Sequence, residues 1–372
     1  MSELSLEMRA RAARLSSLPV VIGFDGFVDE MITVVKERKD LENFTPVPDI
    51  KTFGGLISAA AGHSSLREIT VNNVDPGGCA VNMGDGLLGY GIPVDLFATL
   101  GDPVHPAFAA MTERCRSVYS WGDEPGRTLA FEFTDGKLMF SAVRQLGDFD
   151  AAHVRGCLKD GAYAAACKEA GLIAMTNWSL YPRMTEVWRV LADEVFGALP
   201  SGKRIFIDLV DPSSRSGDDI RAMLETLPLL AKGGAKLTLG VNGNEANLLC
   251  GLLGLEKAEN AEASVAEQAK RLRASLGIDE VVVHWIRYAA VSGPEGDASA
   301  EGPFCAMPRK STGAGDRFNA GYALGLLLDF PPRERLRLAA ASSGFFVREA
   351  RSASVEELAA FLERWERGGV KA

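Results

Sequence analysis

Ser311-Thr312-Gly313-Ala314-Gly315-Asp316 runs directly into an apolar stretch in which Phe318, Tyr322 and Leu326 recur at helical spacing. Small residues just ahead of a helix let consecutive backbone N–H groups point into one space, and the helix N-terminus adds partial positive charge. Gly313, Ala314 and Gly315 are therefore expected to form an anion hole. Asp316, in the first turn, has two uses open to it. It can cap the helix, or it can project beside the anion hole and accept a proton from an attacking hydroxyl. Phosphoryl transfer needs the second arrangement, with donors for the charge of the transferring group and a base for the nucleophile.

A second cluster is Gly77-Gly78-Cys79-Ala80-Val81-Asn82. Its glycines allow close backbone approach to a ligand, and Asn82 offers both donor and acceptor to hydroxyls. Directly after it, Gly84-Asp85-Gly86-Leu87-Leu88-Gly89 matches the dinucleotide fingerprint G-x-G-x-x-G. No strand feeds it, however, and the pyrophosphate site of that fingerprint needs one. Glycines that let a helix pack closely are the better explanation. A third group is Asn242-Gly243-Asn244-Glu245, where a carboxylate could hold Mg²⁺ through water near a triphosphate or could simply cap a helix.

These groups need elements to position them. Leu18–Phe24 reads as a first strand that ends in Asp25-Gly26 and Asp29. Asp49–Gly62 has helical spacing, Ile69 and Val71 alternate as in a strand, and Val94–Leu100 is a buried-type strand. Two runs around Asp135-Gly136 predict a hairpin. From residue 171 strands and helices alternate: strands 171–176, 204–209, 236–240 and 280–284, helices 184–196, 220–230, 245–253 and 265–276. This βαβ pattern predicts a mostly parallel sheet with helices on both faces. A capping box, Ser354 with Glu357, opens a C-terminal helix. The expectation is one domain over 1–372, with a smaller β-rich lid inserted at about 30–76 and 103–145.

Composition narrows the classes. Of 372 residues, 47% are hydrophobic and 24% charged, the balance of a soluble globular chain rather than a disordered one. The net charge of −9 disfavours nucleic acid as the main partner, although backbone amides can still bind phosphate. The longest dense apolar stretch, 321–328, falls far short of the roughly 18–20 residues of a membrane span. The N-terminus has no apolar core of a secretory signal. The six scattered cysteines form no C-x-x-C pair, as for free thiols in a reducing cytoplasm.

The order G-G-x-x-x-N (77–82), G-D (101–102), N-x-x-E (242–245) and T-G-A-G-D (312–316) resembles the ribokinase-like (PfkB) carbohydrate kinases. The resemblance spans Val20 to Leu362, nearly the whole chain. It implies a doubly wound α/β domain with a β-rich lid, and transfer of the terminal phosphoryl group of ATP to a hydroxyl of a sugar, sugar phosphate or nucleoside. By resemblance Asp316 is the base and the Gly313–Gly315 amides form the anion hole. Asn242, Glu245, Thr312 and Asp211 would serve the nucleotide, with Mg²⁺ held by Glu245 through water. Asp29, Gly77, Gly78 and Asn82 would hold the acceptor. Asp25 is a second acceptor candidate, or else a turn-forming Asp-Gly. A homodimer paired through the lid is also implied.

Two departures from the family pattern stand out. Lys310 occupies the position of an Asp that lies at a monovalent-cation site, so K⁺ is expected not to be required. The stretch His284-Trp285-Ile286-Arg287-Tyr288-Ala289 replaces a glycine-containing loop that approaches the nucleotide. It looks somewhat like the corresponding stretch of ADP-dependent sugar kinases, whereas T-G-A-G-D with its following helix fits the ATP-using branch. An ADP-dependent kinase and a non-catalytic sugar or nucleotide sensor are the rival readings. His284, at a strand end, reads as a hydrogen-bonded structural residue. Arg127 and Arg144, flanking the hairpin, read as surface charge or as ligands of a phosphorylated acceptor.

Overall fold

The computed structural model describes residues 2–370. Fourteen strands follow in chain order: β1 (Val20–Phe24), β2 (Phe27–Arg38), β3 (Phe44–Pro46), β4 (Ile69–Gly77), β5 (Val94–Ala98), β6 (Ser117–Ser120), β7 (Gly126–Phe133), β8 (Gly136–Ala142), β9 (Leu172–Met175), β10 (Arg204–Asp208), β11 (Lys236–Asn242), β12 (Glu280–His284), β13 (Tyr288–Ser292) and β14 (Ala298–Glu301). Nine of them make one sheet in the order β14-β13-β12-β11-β10-β9-β1-β5-β6. The seven strands from β12 to β6 are joined by six parallel pairings, and β13 and β14 add an antiparallel edge.

Parallel strands covered on both faces must be apolar throughout. β1, with the sequence Val-Val-Ile-Gly-Phe, is buried at every position between β5 and β9. Two apolar clusters fill the space above and below the sheet. After β1 the chain first builds outward to β5 and β6 and later returns on the other side as β9. The strand order therefore reverses at β1/β9, and ligands of open α/β sheets bind outside the carboxyl ends of strands at such a point.

A second, five-stranded sheet grows from that point. β2 leaves β1 through Asp25-Gly26 and pairs with β4 antiparallel, β7 parallel and, at its far end, β3, while β8 closes the hairpin on β7. The predicted helix 49–62 is Ile50–Ala59, with the Asp49 carboxylate accepting from Thr52 N. Its Phe53 ring lies 5.8 Å from Phe131 and 5.3 Å from Phe133, which seats the helix on β7. Of residues 103–145, the strands β7 and β8 belong to this smaller sheet. Residues 117–120 form β6 of the main sheet, because their backbone completes the β5 edge, and the smaller sheet resumes only at Gly126.

The fingerprint-like glycines 84–89 lie inside a helix, Cys79–Gly89. A methyl group on Gly86 would stand 2.7 Å from the Ala320 methyl, and one on Gly89 2.6 Å from the Ala353 carbonyl. They are packing glycines: Gly86 brings this helix against the helix Ala314–Leu327, and Gly89 brings it against the segment before the C-terminal helix. Elements not foreseen include the helix Pro332–Glu349 and an N-terminal helix, Glu3–Ala12, tied to the C-terminal helix by Arg9–Glu363 at 2.7 Å. The substitution Gly86→Ala is expected to overpack this contact and cost about 1–3 kcal/mol. Chemical denaturation should show the loss as a lowered midpoint with an unchanged slope.

Candidate active site

Asp25 follows the last residue of β1 and is fully buried. Its carboxylate accepts four hydrogen bonds: Cys79 N at 2.6 Å, Ala80 N at 2.8 Å, Thr176 Oγ1 at 2.7 Å and Asn177 Nδ2 at 2.8 Å. Two of these donors are the orphan amides of the Cys79–Gly89 helix. The expectation of an acceptor ligand therefore meets a carboxylate already saturated by its own fold. Gly78, the residue capping that helix, has φ +97° and would push a side chain to 2.8 Å from the Asp25 carbonyl, so only glycine serves.

Gly77 lies against Asp29. A methyl group there would come within 2.4–2.5 Å of all three atoms of the Asp29 carboxylate. Burial pushes the Asp29 carboxyl up to about 6, and the nearby Asp75 adds to this, while a hydrogen bond from Thr128 and the charges of Lys137 and Lys310 act against it. Lys310 reaches Asp75 of the smaller sheet at 3.7 Å. Arg127 pairs with Glu30 at 2.6 Å, and Arg144 is exposed.

From Cys79 the path leads to Asp316, because the Cys79 thiol lies near enough to that carboxylate to influence its proton affinity. Asp316 sits in the first turn of the Ala314–Leu327 helix, 7% exposed. Burial pushes it up to about 7, the charges of Asp208 and Asp25 push the same way, and Arg317 and Cys79 pull it down. Gly313 caps the helix at φ +88°. The Ala314 amide donates to the Ser311 carbonyl at 3.1 Å. Of the three expected anion-hole amides, that one is engaged within the turn, and the Gly315 and Asp316 N–H groups follow it at the helix opening. Asn82 lies beside this loop, its amide oxygen accepting from Arg317 Nη1 at 2.8 Å. The same guanidinium pairs with Asp85 at 2.9 Å.

Asp208 was not anticipated. It ends β10, and its two oxygens accept from Val210 N and Asn319 Nδ2. Its position at the carboxyl end of a parallel strand is the sequence signal that marks it. Asp211 is exposed and caps the short turn Pro212–Ser214. Glu245 is buried in a capping box, accepting from Asn242 N at 2.9 Å and Asn242 Nδ2 at 2.6 Å. Burial raises the proton affinities of both Asp208 and Glu245, and for Glu245 the Asp208 charge raises it further.

Acids crowded in this way fit a divalent cation. Among the described residues no three His, Cys, Asp or Glu side chains are close enough to ligate a metal together. Mg²⁺ keeps several waters and takes one or two carboxylates plus substrate phosphate oxygens, and Asp208 and Glu245 are the two buried carboxylates that could supply them.

Beside the helix opening lies a cavity of about 600 Å³. Asn242 and Asn244 border it on one side, Ala314 and Gly315 at its floor, and the rest of the wall is mainly apolar, including Trp285, Phe304, Phe318 and Val347. The Trp285 ring covers Gly243, and its N–H donates to Gln268.

A largely apolar cavity, an open helix N-terminus and a buried carboxylate thus lie next to one another. The profile of the prokaryotic ketohexokinase family matches residues 7–365. The chain belongs to that family. A ketohexokinase of Haloferax volcanii is 29% identical over 345 residues, covering 92% of this chain and 90% of the relative. Solved structures extend the fold match. Ribokinase of Thermotoga maritima superposes with a TM-score of 0.63 at 16% identity, over 93% of this chain and 99% of the other. Arabidopsis thaliana ribokinase, solved with ribose and ATP, gives 0.62 at 16% identity, with the same coverage. This protein is a carbohydrate kinase with a ribokinase-like fold, a phosphotransferase with an alcohol group as acceptor.

The crowding has a measurable consequence in the kinase. Asp316 binds its proton more tightly when folded, near 7, than its ordinary 3.8. Folding then takes up a proton between these values, so this group's contribution to stability falls as pH rises through that window. The Asp316→Asn variant should therefore gain a few degrees of Tm relative to the native chain between about pH 5 and about pH 8. Differential scanning calorimetry at the two pH values checks it; a pH-independent difference would contradict the assigned shift.

Proposed function

We propose that this kinase transfers the terminal phosphoryl group of ATP to a hydroxyl of a ketohexose, with Asp316 as general base. One observation carries the reading: Asp316 and the open N-terminus of its helix stand between Cys79, next to the Gly77–Asp29 contact, and the nucleotide-sized cavity. The ketohexose is suggested by the family match and by the Haloferax volcanii relative.

In this reading the acceptor lies over Gly77 and Gly78 with its hydroxyls on Asp29. Asn82, its oxygen held by Arg317, keeps an N–H₂ group for the acceptor. Asp25 positions these residues rather than touching the sugar. The nucleotide enters the cavity with its phosphates toward Gly313, Ala314 and Gly315, and Thr312, Asn242 and Asp211 border its path. Asp208 and Glu245 would hold Mg²⁺ chiefly through water, and the ion would supply charge neutralisation for the transferring group. Asp316 takes the proton from the acceptor oxygen as that oxygen bonds to the terminal phosphorus and the bond to the ADP leaving group breaks. The Gly315 and Asp316 amides are placed to donate to the developing charge. An affinity near 7 suits a group that must collect a proton at neutral pH.

The Lys310 ammonium stands where the family carries a carboxylate for a monovalent cation, which supports turnover without added K⁺. Six free cysteines suit a reducing cytoplasm, where we place the enzyme. No helix among the described residues is long and apolar enough to cross a membrane. Exposed Ile69, Val71 and Val74 on β4, with Met139 and Phe140 on β8, support a homodimer formed through the lid.

The Asp316→Asn variant is expected to lose at least about 10²-fold in kcat while binding nucleotide nearly as the native enzyme does. Near-native turnover would remove Asp316 from the role of base. A coupled assay over ketohexoses, aldohexoses, ribose and nucleosides, with ATP and ADP in parallel and K⁺ present or absent, should give the highest kcat/KM for a ketohexose with ATP. A several-fold gain on adding K⁺ would overturn the assignment of Lys310.

A further inference from the structure

We infer that His284 is a positioning residue for the nucleotide, donating a ring N–H to a phosphate oxygen at the mouth of the anion hole. The inference rests on the proposed use of ATP and adds a residue to it. His284 ends β12 and lines the cavity. Its ring stacks on Phe318 with centroids 4.5 Å apart and planes 28° from parallel, so its orientation is set by packing. Cε1, the carbon between the two ring nitrogens, is the atom nearest to Gly315, 3.7 Å from where a methyl group would be. The polar edge of the imidazole is thereby turned toward the start of the Ala314–Leu327 helix.

Structural histidines at strand ends usually spend both nitrogens on protein partners. Among the described residues His284 has no such partner, unlike its neighbour Trp285, whose N–H is held by Gln268. Burial lowers the imidazole to about 4, so the ring is neutral near pH 7, with one donor and one acceptor nitrogen. A neutral donor beside open amides suits an oxygen of a phosphate chain. The geometry also explains how bulky residues work where a glycine loop was expected. A side-chain N–H supplies the contact that a close backbone would otherwise make, and Trp285 closes over Gly243 behind it.

The test uses His284→Phe, which keeps the stack and loses the donor, and His284→Gln, which keeps a donor. Calorimetry with Mg²⁺ and the non-hydrolysable ATP analogue AMP-PNP should show His284→Phe binding about tenfold or more weakly, the scale of a hydrogen bond to a charged group. Adenosine should bind all three proteins within about twofold, and His284→Gln should recover most of the AMP-PNP affinity. In turnover the loss should appear mainly in KM for ATP. Unchanged AMP-PNP affinity in His284→Phe, or equal losses for AMP-PNP and adenosine, would overturn the contact while leaving the kinase reading intact. Failure of the native protein to bind AMP-PNP would overturn both the ATP reading and the contact drawn from it.

Discussion

The Asp25 carboxylate holds the site together. It joins the end of β1, the start of the Cys79–Gly89 helix and the segment after β9 through four hydrogen bonds in a place without solvent. A buried charge is tolerated only when its partners are in place. Because two of the donors are helix-opening amides, the same interaction aims that helix and sets Gly77 and Gly78 beside β2. Asp29 rests on Gly77, and Cys79 lies near Asp316, so the proposed acceptor side and the proposed base inherit their positions from this carboxylate.

Around it the enzyme gathers further acids without matching them by bases. Asp208, Glu245 and Asp316 are all buried; the Asp208 charge raises the proton affinity of Glu245 and of Asp316, and the Asp316 charge raises that of Glu245. Arg317 is the cation packed closest, yet its guanidinium is shared among Asn82, Asp85 and Ser352. Such a cluster costs stability in the free protein, a cost repaid when a cation or a proton arrives. The helix opening at Gly313 offers the opposite polarity a few atoms away, and a phosphoryl group with its metal would satisfy both.

The smaller sheet and the cavity divide the remaining work. The smaller sheet springs from the switch point of the main sheet, so that strand β2 carries Asp29 over the Gly77-Gly78 turn. Lys310 pairs with Asp75, across the ladder from Asp29, and so links the loop before the proposed anion hole to the smaller sheet. On the other side the His284–Tyr288 segment walls the cavity with side chains rather than with bare backbone.

Much of this was legible in the amino-acid order. Strands such as Glu280–His284 and the Gly313–Asp316 helix start announce themselves because their signals are local: apolar runs, turn residues, and small residues before a helix. The packing glycines 84–89 were separable from a dinucleotide site for the same reason, since no strand precedes them. Roles that depend on partners far along the chain were not legible. Asp25 reads as a turn residue until Thr176 and Asn177, about 150 positions later, are seen to bind it. Asp208 gains meaning only opposite Asn319 and Glu245, and β6 joins the main sheet because β5 lends it an edge. Local chemistry is carried by neighbours in sequence, so the sequence alone determined the class of reaction and the base proposed for it. Burial, charge crowding and the sharing of donors arise between distant segments, and only the tertiary structure decided which carboxylates remain open to a substrate.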